Sequence, residues 1–289
     1  MGILRAFIVM RMKGIRSLRE LTRILDVDQR VRRLCLIKKD ERGYPRSVLS
    51  RFTHLVGAEV LRLIIEEKVI CLLRRAGVAE VDAVLDASFV KAWSIRDPES
   101  NKVGLSDPDA RVGRNGRGYD LGYKLHASVE PKRILPLASV LAPANENEKR
   151  HAPSLLEKTK IVLGKAEARL RCLIGDSQYS SERVRSLVDY AVIPYMSNQR
   201  RGEEVLRVDR RFRASGPEEL VAEYRKRPAV EALFAYVKNQ YGLTVNKVRG
   251  LVNVSVYALL SLLCIVLNRE AAENLGRPDK ALSPTFFNT

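Results

Sequence analysis

Hydrophobic positions recur at helical spacing through the first eighty residues of the chain. They occupy positions 18, 21, 24 and 25 behind the capping-box pattern Ser17-Leu-Arg-Glu20, which predicts a helix over Leu18–Leu25. Two further runs predict helices over Val48–Val56 and Gly57–Arg75. We therefore predict an all-helical domain over residues 1–80.

Short apolar segments separated by polar turns replace that pattern from residue 81 onward. The predicted elements, in chain order, are strands over Val81–Val90, Tyr123–Val129 and Ile134–Leu141, a helix over Glu148–Leu163, a strand over Leu170–Ile174, a helix over Ser180–Tyr190 and a strand over Val192–Met196. A polar excursion from Ser94 to Gly118 separates the first two strands. This is the element order of the ribonuclease-H-like α/β fold, and by that analogy we predict such a mixed sheet with flanking helices over residues 81–250. Other mixed α/β folds are the alternative.

The last part of the chain combines a basic linker with an apolar helix. Residues 199–217 are rich in arginine, and the pattern predicts helix again from Pro217. The apolar stretch Leu251–Leu267 contains three polar residues and falls short of a comfortable membrane span. We predict a packing helix and a tail over residues 251–289, and no association with a membrane.

Charge and cysteine usage narrow the possible functions. The 289 residues include 51 Lys and Arg against 34 Asp and Glu, a net charge of +17, and such an excess is typical of proteins that bind nucleic acid. Four cysteines are spread singly, without the spacing of a zinc site, which is typical of a protein in the reducing cytoplasm. Charge by itself indicates a class of partner and no reaction.

The helical domain carries 18 Lys and Arg against 9 Asp and Glu, over half of the net charge. Short helices with arginine on their faces are typical of helix-turn-helix DNA-binding proteins, and the best candidate for a recognition helix begins at Ser47. This helix offers Ser47, Ser50, Arg51 and His54 to DNA. A solvated helical bundle without DNA contacts is the alternative.

Two aspartates occupy positions where a carboxylate needs a cation. Asp86 falls inside an apolar strand, and Asp176 follows the run Cys172–Gly175 at the carboxyl end of another strand, where open α/β sheets bind ligands. Burial of a lone carboxylate is costly unless a basic side chain or a divalent cation compensates it. A salt-bridged or turn-capping aspartate is the alternative at both positions. Asp82 competes with Asp86, because it lies four residues earlier on the same strand.

The strongest local pattern comprises Tyr224, Arg227, Glu231 and Lys238. Their successive offsets of 3, 4 and 7 residues predict that all four lie on one side of a helix. Pro228 either begins this helix or kinks it, and in the first case Tyr224 stands just outside it. A solvated amphipathic helix with a charged face is the alternative.

The spacing Tyr-x2-Arg-x3-Glu-x6-Lys resembles the signature of the DDE transposases of bacterial and archaeal insertion sequences, which are named for an Asp, Asp, Glu metal-binding triad. Asp86-Ala-Ser88 resembles the segment around the first aspartate of that family. Asp176-Ser-Gln-Tyr179 resembles the second, although Gln178 replaces the usual Gly or Ala. The similarity extends over essentially the whole chain. The N-terminal region is similar to the DNA-binding module of the family, and this favours the helix-turn-helix interpretation of residues 1–80.

The resemblance implies a catalytic site formed by Asp86, Asp176 and Glu231. These carboxylates would hold two Mg²⁺ ions about 3.5–4 Å apart, with Mn²⁺ as a usable substitute. Asp86 would bridge both ions, and Asp176 and Glu231 would each complete one coordination sphere. Water would cut the transposon end, and the freed 3′-hydroxyl would attack a target phosphodiester. The implied partner is double-stranded DNA, both as the transposon ends and as the target. Because two transposon ends are joined, the resemblance also implies a homodimer on DNA.

Further DNA contacts follow from the resemblance and from the charge pattern. Arg227 and Lys238 would hold backbone phosphates, and Tyr224 would either stack on a base or sugar or pack at the start of a helix. Arg210 and Arg211 belong to an arginine-rich strip of the linker that would follow the phosphates, with a merely solvated linker as the alternative.

Three other residues carry less specific patterns. Asp107 and Asp109, in the glycine-rich excursion, are interpreted as turn formers. Trp93, the only tryptophan, is interpreted as core packing at the end of a strand rather than as a wedge into unpaired DNA. We therefore expect an insertion-sequence transposase in the cytoplasm, associated with the nucleoid. A metal-dependent nuclease or resolvase on the same fold and a DNA-binding protein that has lost catalysis are the alternatives.

Overall fold

The computed structural model describes residues 1–194, 218–245 and 247–283. Its N-terminal helices are α1 (Gly2–Met12), α2 (Leu18–Val27), α3 (Gln29–Leu34) and α4 (Arg46–Arg75). Ser17 Oγ accepts a hydrogen bond from the Glu20 backbone N–H at 3.2 Å, so the predicted N-terminal cap is confirmed. α4 joins two of the predicted helices across a kink at Gly57, whose φ of 62° lies in the left-handed region that favours glycine.

A mixed sheet of six strands, within the described residues, occupies the centre of the fold. Its strands are β1 (Glu80–Lys91), β2 (Arg111–Asn115), β3 (Gly118–Glu130), β4 (Leu135–Pro143), β5 (Arg169–Gly175) and β6 (Ala191–Val192). β3 pairs antiparallel with β1 and β4, β5 pairs parallel with β1, and β6 pairs parallel with β5. The order β4-β3-β1-β5-β6 is an antiparallel meander extended by parallel strands, so the predicted ribonuclease-H-like sheet is confirmed.

Three elements differ from the prediction. β2 lies inside the segment predicted to be irregular; it is a polar edge strand that pairs with the start of β3, and a strand without a buried face lacks hydrophobic alternation. The helix predicted over Ser180–Tyr190 is limited to α6 (Glu182–Arg185), after which the Arg185 guanidinium donates to the Ile193 carbonyl as the chain turns back. Of the strand predicted over Val192–Met196, the described part forms only the end of β6.

Helices cover the sheet. They are α5 (Glu148–Lys165), α7 (Glu218–Tyr224), α8 (Pro228–Ala235) and α9 (Leu251–Asn274), with a π-helical turn over Tyr236–Gln240 directly after α8. α9 has the length and apolar composition of a membrane-spanning helix, and 72% of its most apolar window is buried inside the protein. It packs against α1, α4 and β4 and therefore acts as a core helix.

The N-terminal helices and the sheet share one continuous hydrophobic core, which runs from Ala6 in α1 to Val266 in α9. Arg11 joins these two helices, because its guanidinium lies 4.7 Å from the centroid of the Tyr257 ring and donates to the Tyr257 carbonyl at 3.3 Å. The helical N-terminal region is thus packed directly on α9.

Asp107 and Asp109 anchor the start of α9. Asp107 is fully buried, and its Oδ1 accepts hydrogen bonds from the Tyr123 hydroxyl at 2.6 Å and the Gly250 N–H at 3.1 Å. Asp109 Oδ2 accepts from the Leu251 N–H at 2.9 Å. Carboxylates at a helix N-terminus satisfy N–H groups that have no partner within the helix. The two aspartates interpreted as turn formers therefore join the excursion after β1 to α9.

Candidate active site

Three carboxylates from distant parts of the chain meet beside the sheet. Among the residues that the structure describes, one group of Asp, Glu, His and Cys side chains is close enough to hold a metal ion: Asp86, Glu148 and Asp176, whose ligand oxygens lie within 4.8 Å of one another. The structure thus brings together the two aspartates singled out in the sequence. Sequence reasoning missed Glu148, because an acidic residue in the first turn of a helix is common and marks no site by itself.

Strand pairing places the two aspartates side by side. β1 and β5 are parallel neighbours, and Leu85 of β1 is in register with Gly175 of β5, so Asp86 and Asp176 follow at the same level. Asp176 then leaves the sheet in a short 3-10 turn. Glu148 is the first residue of α5. Main-chain pairing and a helix start therefore hold these carboxylates in place without any contribution from a ligand.

Burial and repulsion disfavour the charge on Asp86. Its side chain is only 13% exposed. Burial raises the pKa of Asp86 to about 7, and the carboxylates of Asp176 and Glu148 act in the same direction, against the Arg227 guanidinium and the Ala87 N–H. A pocket with this excess of negative charge favours a bound cation.

A lysine lies beside the group on the neighbouring strand. Lys124 of β3 donates from Nζ to Glu148 Oε1 at 2.9 Å, and the two side chains are 14% and 16% exposed. A charge-assisted hydrogen bond between two largely buried side chains is strong, so it restricts the Glu148 carboxylate to one orientation.

Glu231 lies beyond this group, with Arg227 in between. Arg227 donates from Nη2 to Asp86 Oδ2 at 3.2 Å and from Nη1 to Glu231 Oε1 at 2.8 Å. The Glu231 side chain is 55% exposed. A guanidinium therefore connects Glu231 to Asp86, and Glu148 is the glutamate that directly accompanies the two aspartates.

The sequence pattern predicts one helix that carries Tyr224, Arg227, Glu231 and Lys238 on one side. The single helix is not formed, and the first alternative for Pro228 is confirmed: Pro228 begins α8, and Tyr224 stands outside that helix as the last residue of α7. Proline lacks the N–H of a helix interior and is favourable in a first turn, so a new helix begins there. Lys238 lies in the π-helical turn, where burial lowers its pKa. Tyr224 packs against the hydrophobic core.

Asp82 belongs to a separate cluster with balanced charge. Its carboxylate lies 2.6 Å from both Arg171 Nη2 and Lys226 Nζ, and the Glu223 carboxylate lies 2.8 and 2.6 Å from the same two atoms. Burial acts to raise the pKa of Asp82, but the hydrogen bonds from Arg171 and Lys226 outweigh it and lower the pKa. The salt-bridge alternative therefore applies to Asp82, and the cluster joins α7 to β1 and β5.

The candidate DNA contacts of the N-terminal region lie on the first half of α4. Ser47 and Arg51 are exposed, one helical turn apart, and Ser50 is half-buried. Arg210 and Arg211 of the linker lie outside the described residues.

Comparison with known families matches residues 80–267 to the family described as the transposase DDE domain. This match spans well over half of the 289 residues. The chain belongs to the DDE transposase family. The match begins where β1 begins and ends inside α9, so it includes the acidic group and the helix that carries Glu231. Members of this family are DNA-cleaving and strand-transferring enzymes that use divalent metal ions, and this chain is an enzyme of that type.

No curated protein matches the chain. Among solved structures, a chain of the Mos1 transposase paired-end complex with left transposon end is 15% identical, with 76% of this chain and 73% of that chain covered at a TM-score of 0.25. A superposition this weak supports no argument about the chain. The evidence for the fold is its strand order and pairing, and the evidence for the family is the domain match.

Proposed function

We propose that this transposase-family enzyme binds the DNA ends of an insertion sequence and catalyses Mg²⁺-dependent hydrolysis and strand transfer at them. The proposal depends on one observation, the group formed by Asp86, Glu148 and Asp176 inside the family's domain. The net charge of +17 agrees with a polyanionic partner. We also propose a cytoplasmic location at the nucleoid and a homodimer on DNA, because joining two ends requires two active sites.

The donor set fits Mg²⁺, with Mn²⁺ as a substitute. Carboxylate oxygens are the hard ligands that these ions prefer. The oxygens of the group fall within 4.8 Å of one another, which is compatible with a shared ion. We propose that Asp86, Asp176 and Glu231 would hold the divalent ions and that Glu148 would supply a fourth carboxylate.

Divalent ions bound there would activate the attacking oxygen and stabilise the leaving 3′-oxygen of an in-line displacement. The protein contributes the geometry. Asp86 and Asp176 are set by strand register, and Lys124 holds Glu148. Preorganised groups of this kind cost no rearrangement at the moment of reaction, which is why they are effective in catalysis.

Arg227 connects DNA engagement to the acidic group. Its guanidinium now neutralises Asp86 and Glu231. A backbone phosphate is an equally suitable partner, because arginine binds phosphate through two parallel N–H groups. When a phosphate engages Arg227, both carboxylates lose their counter-charge and become available to a cation. Lys238 would contact a neighbouring phosphate, and Tyr224 would support the turn that presents Arg227.

The remaining DNA contacts come from the N-terminal region and the linker. Ser47, Ser50 and Arg51 would contact the terminal repeat through α4, and Arg210 and Arg211 would bind phosphates without reading sequence. Phosphate contacts of this kind make binding depend strongly on salt concentration.

Incubation of purified protein with pre-cleaved transposon-end DNA and a target plasmid tests the proposal. The end sequence is taken from the DNA that flanks the gene, where the proposed function predicts inverted repeats. We expect Mg²⁺-dependent joining by the wild type, and a loss on the order of 100-fold or more in Asp86→Ala and Glu231→Ala with end binding retained.

Each other outcome has a distinct meaning. Cleavage without joining would identify a nuclease or resolvase, and sequence-specific binding without either reaction would identify a DNA-binding protein that has lost catalysis. Full cleavage by one of the two variants would remove that residue from the site.

A further inference from the structure

Trp93 is on the surface, so its interpretation as core packing is wrong. It is the only tryptophan of the chain, and its side chain is 48% exposed. Ile95, two residues later, is 69% exposed. The alternation of burial continues past the end of β1 at Lys91: Ala92 is buried and its N–H donates to the Leu121 carbonyl at 3.0 Å, so Trp93 falls on the exposed side. Trp93 and Ile95 therefore expose two large apolar side chains two residues apart.

The surroundings of Trp93 are cationic. Lys247 Nζ lies 5.5 Å from the centroid of the indole ring, a cation–π contact. Arg249 Nε donates to the Trp93 carbonyl at 3.0 Å. Both basic residues are exposed. An aromatic face combined with positive charges is the arrangement with which proteins bind single-stranded nucleic acid.

Two chain segments connect Trp93 to the acidic group. β1 carries Asp86 and leads to Trp93 seven residues later, so the two residues lie at most about 25 Å apart. The segment with Lys247 and Arg249 follows the helix and turn that carry Glu231. One turn of B-DNA is about 34 Å long, so a DNA strand bound at the carboxylates reaches Trp93 within one turn.

We infer that Trp93 is a stacking site for an unpaired or terminal DNA base, with Lys247 and Arg249 holding the adjacent phosphates. Bases inside a duplex are already stacked on both faces, so the indole requires a base at an end or in a single strand. Cleavage at a transposon end generates such a base. The inference rests on the proposed function only in that DNA must be the substrate; it does not depend on metal binding.

Because Trp93 is the only tryptophan of the chain, the intrinsic fluorescence of the protein reports directly on the proposed stacking site. The wild type is titrated in EDTA, so that no DNA is cut, with a duplex that carries a five-nucleotide single-stranded overhang. The control is the same duplex with abasic overhang nucleotides, which keeps every phosphate and removes the bases. We expect Trp93 quenching only by the overhang with bases, and binding at least about five-fold tighter than to the abasic control, the factor that corresponds to one stacked base.

Variants assign the effect to the side chain. Binding of dye-labelled DNA is followed by anisotropy, because substitution of Trp93 removes the fluorescence signal. Trp93→Ala should lose the preference for bases and bind both overhangs equally. Trp93→Phe keeps an aromatic face, should retain part of the preference, and decides the question if the alanine variant does not fold. Tyr190→Ala, at a 38%-exposed aromatic residue beside β6, is the matched control and should change nothing.

Several results would overturn the inference. Equal binding of both overhangs by the wild type, or an unchanged preference in Trp93→Ala, would reduce the site to phosphate contacts. The fluorescence of Trp93 could instead change with protein concentration in the absence of DNA and show no response to the overhang bases. That result would assign the indole to a contact between two copies of the chain. A wild type that binds no DNA at all would contradict the proposed function itself, so the two failures are distinguishable.

Discussion

Asp82 and Asp86 lie four residues apart on the same strand and have opposite electrostatic surroundings. Asp82 contacts two cations and shares them with one other acid, and its pKa is lowered. Asp86 contacts one cation and lies among further acids, and its pKa is raised to about 7. Both carboxylates are largely buried, so burial alone does not distinguish them.

The comparison of Asp82 with Asp86 shows that the number of neighbouring cationic side chains distinguishes a structural carboxylate from a functional one. At Asp82 the positive and negative charges balance, and the cluster stabilises the contact between α7 and the sheet. At Asp86 the acids outnumber the cations, so the folded protein carries an electrostatic cost that a divalent ion would relieve. Both clusters include neighbouring residues of one turn, Lys226 and Arg227, so the structural cluster also positions the arginine of the functional one.

The largest expected effect on stability is at Asp82. Asp82→Asn should lower the free energy of unfolding by about 2–3 kcal/mol, because Arg171 and Lys226 then lose a charged partner. Asp86→Asn should leave the free energy of unfolding unchanged or raise it slightly, because a disfavoured charge is removed. Urea denaturation of both variants in EDTA measures this. Equal destabilisation by the two substitutions would contradict the proposed distinction.

The pH dependence of stability should have opposite signs at the two residues. The pKa of Asp86 rises from 3.8 to about 7 on folding, so its contribution to stability is complete below pH 3.8 and is lost as the pH rises towards 7. The slope is at most about 1.4 kcal/mol per pH unit. The pKa of Asp82 falls, so its contribution is present above pH 3.8 and is lost as the pH falls through the lowered pKa.

The difference in the free energy of unfolding between the wild type and each variant isolates the contribution of the substituted aspartate. Urea denaturation of the metal-free wild type and of both asparagine variants between pH 3 and 8 supplies the data. A difference between wild type and Asp86→Asn that stays flat from pH 4 to 7 would show that the charge on Asp86 is not disfavoured.

Metal affinity should depend on Glu148. Glu148→Gln should weaken Mn²⁺ binding by about 10-fold, because one carboxylate of the group becomes a neutral amide. Glu146→Gln is the matched control: it lies two residues away and pairs with His151 at 3.1 Å instead of joining the group. Calorimetric titration of both variants with Mn²⁺ measures the effect. Equal affinities would exclude Glu148 as a ligand.

The smallest expected effect concerns the salt dependence of DNA binding. Arg227→Ala should reduce the slope of log affinity against log salt by about 1, because one phosphate contact is lost. Lys226→Ala, the adjacent residue in the structural cluster, should lower stability and leave the slope unchanged. Anisotropy titrations at several salt concentrations make this comparison, and a changed slope in Lys226→Ala alone would reverse the roles of the two residues.

Much of the fold was predictable because its signals are local. The apolar, β-rich segment of β1 and the cap at Ser17 depend on residues a few positions apart, and both predictions are confirmed. The proximity of Asp86 and Asp176 was implied by the family resemblance, and its cause is the parallel pairing of β1 and β5, in which Leu85 is in register with Gly175. β2 was not predictable, because a polar edge strand has no buried face to leave a pattern.

By itself the sequence determined the order of the main strands and the helical N-terminal region, because both depend on short-range periodicity, and it singled out Asp86 and Asp176 as carboxylates in or directly after apolar strands. Only the tertiary structure decided which carboxylate meets which cation: Arg227 reaches Asp86 across 141 positions and Lys226 reaches Asp82 across 144. It also decided that Glu148 joins the aspartates and that Trp93 faces solvent. Charge balance and exposure depend on neighbours in space, and those are fixed only when distant segments pack together.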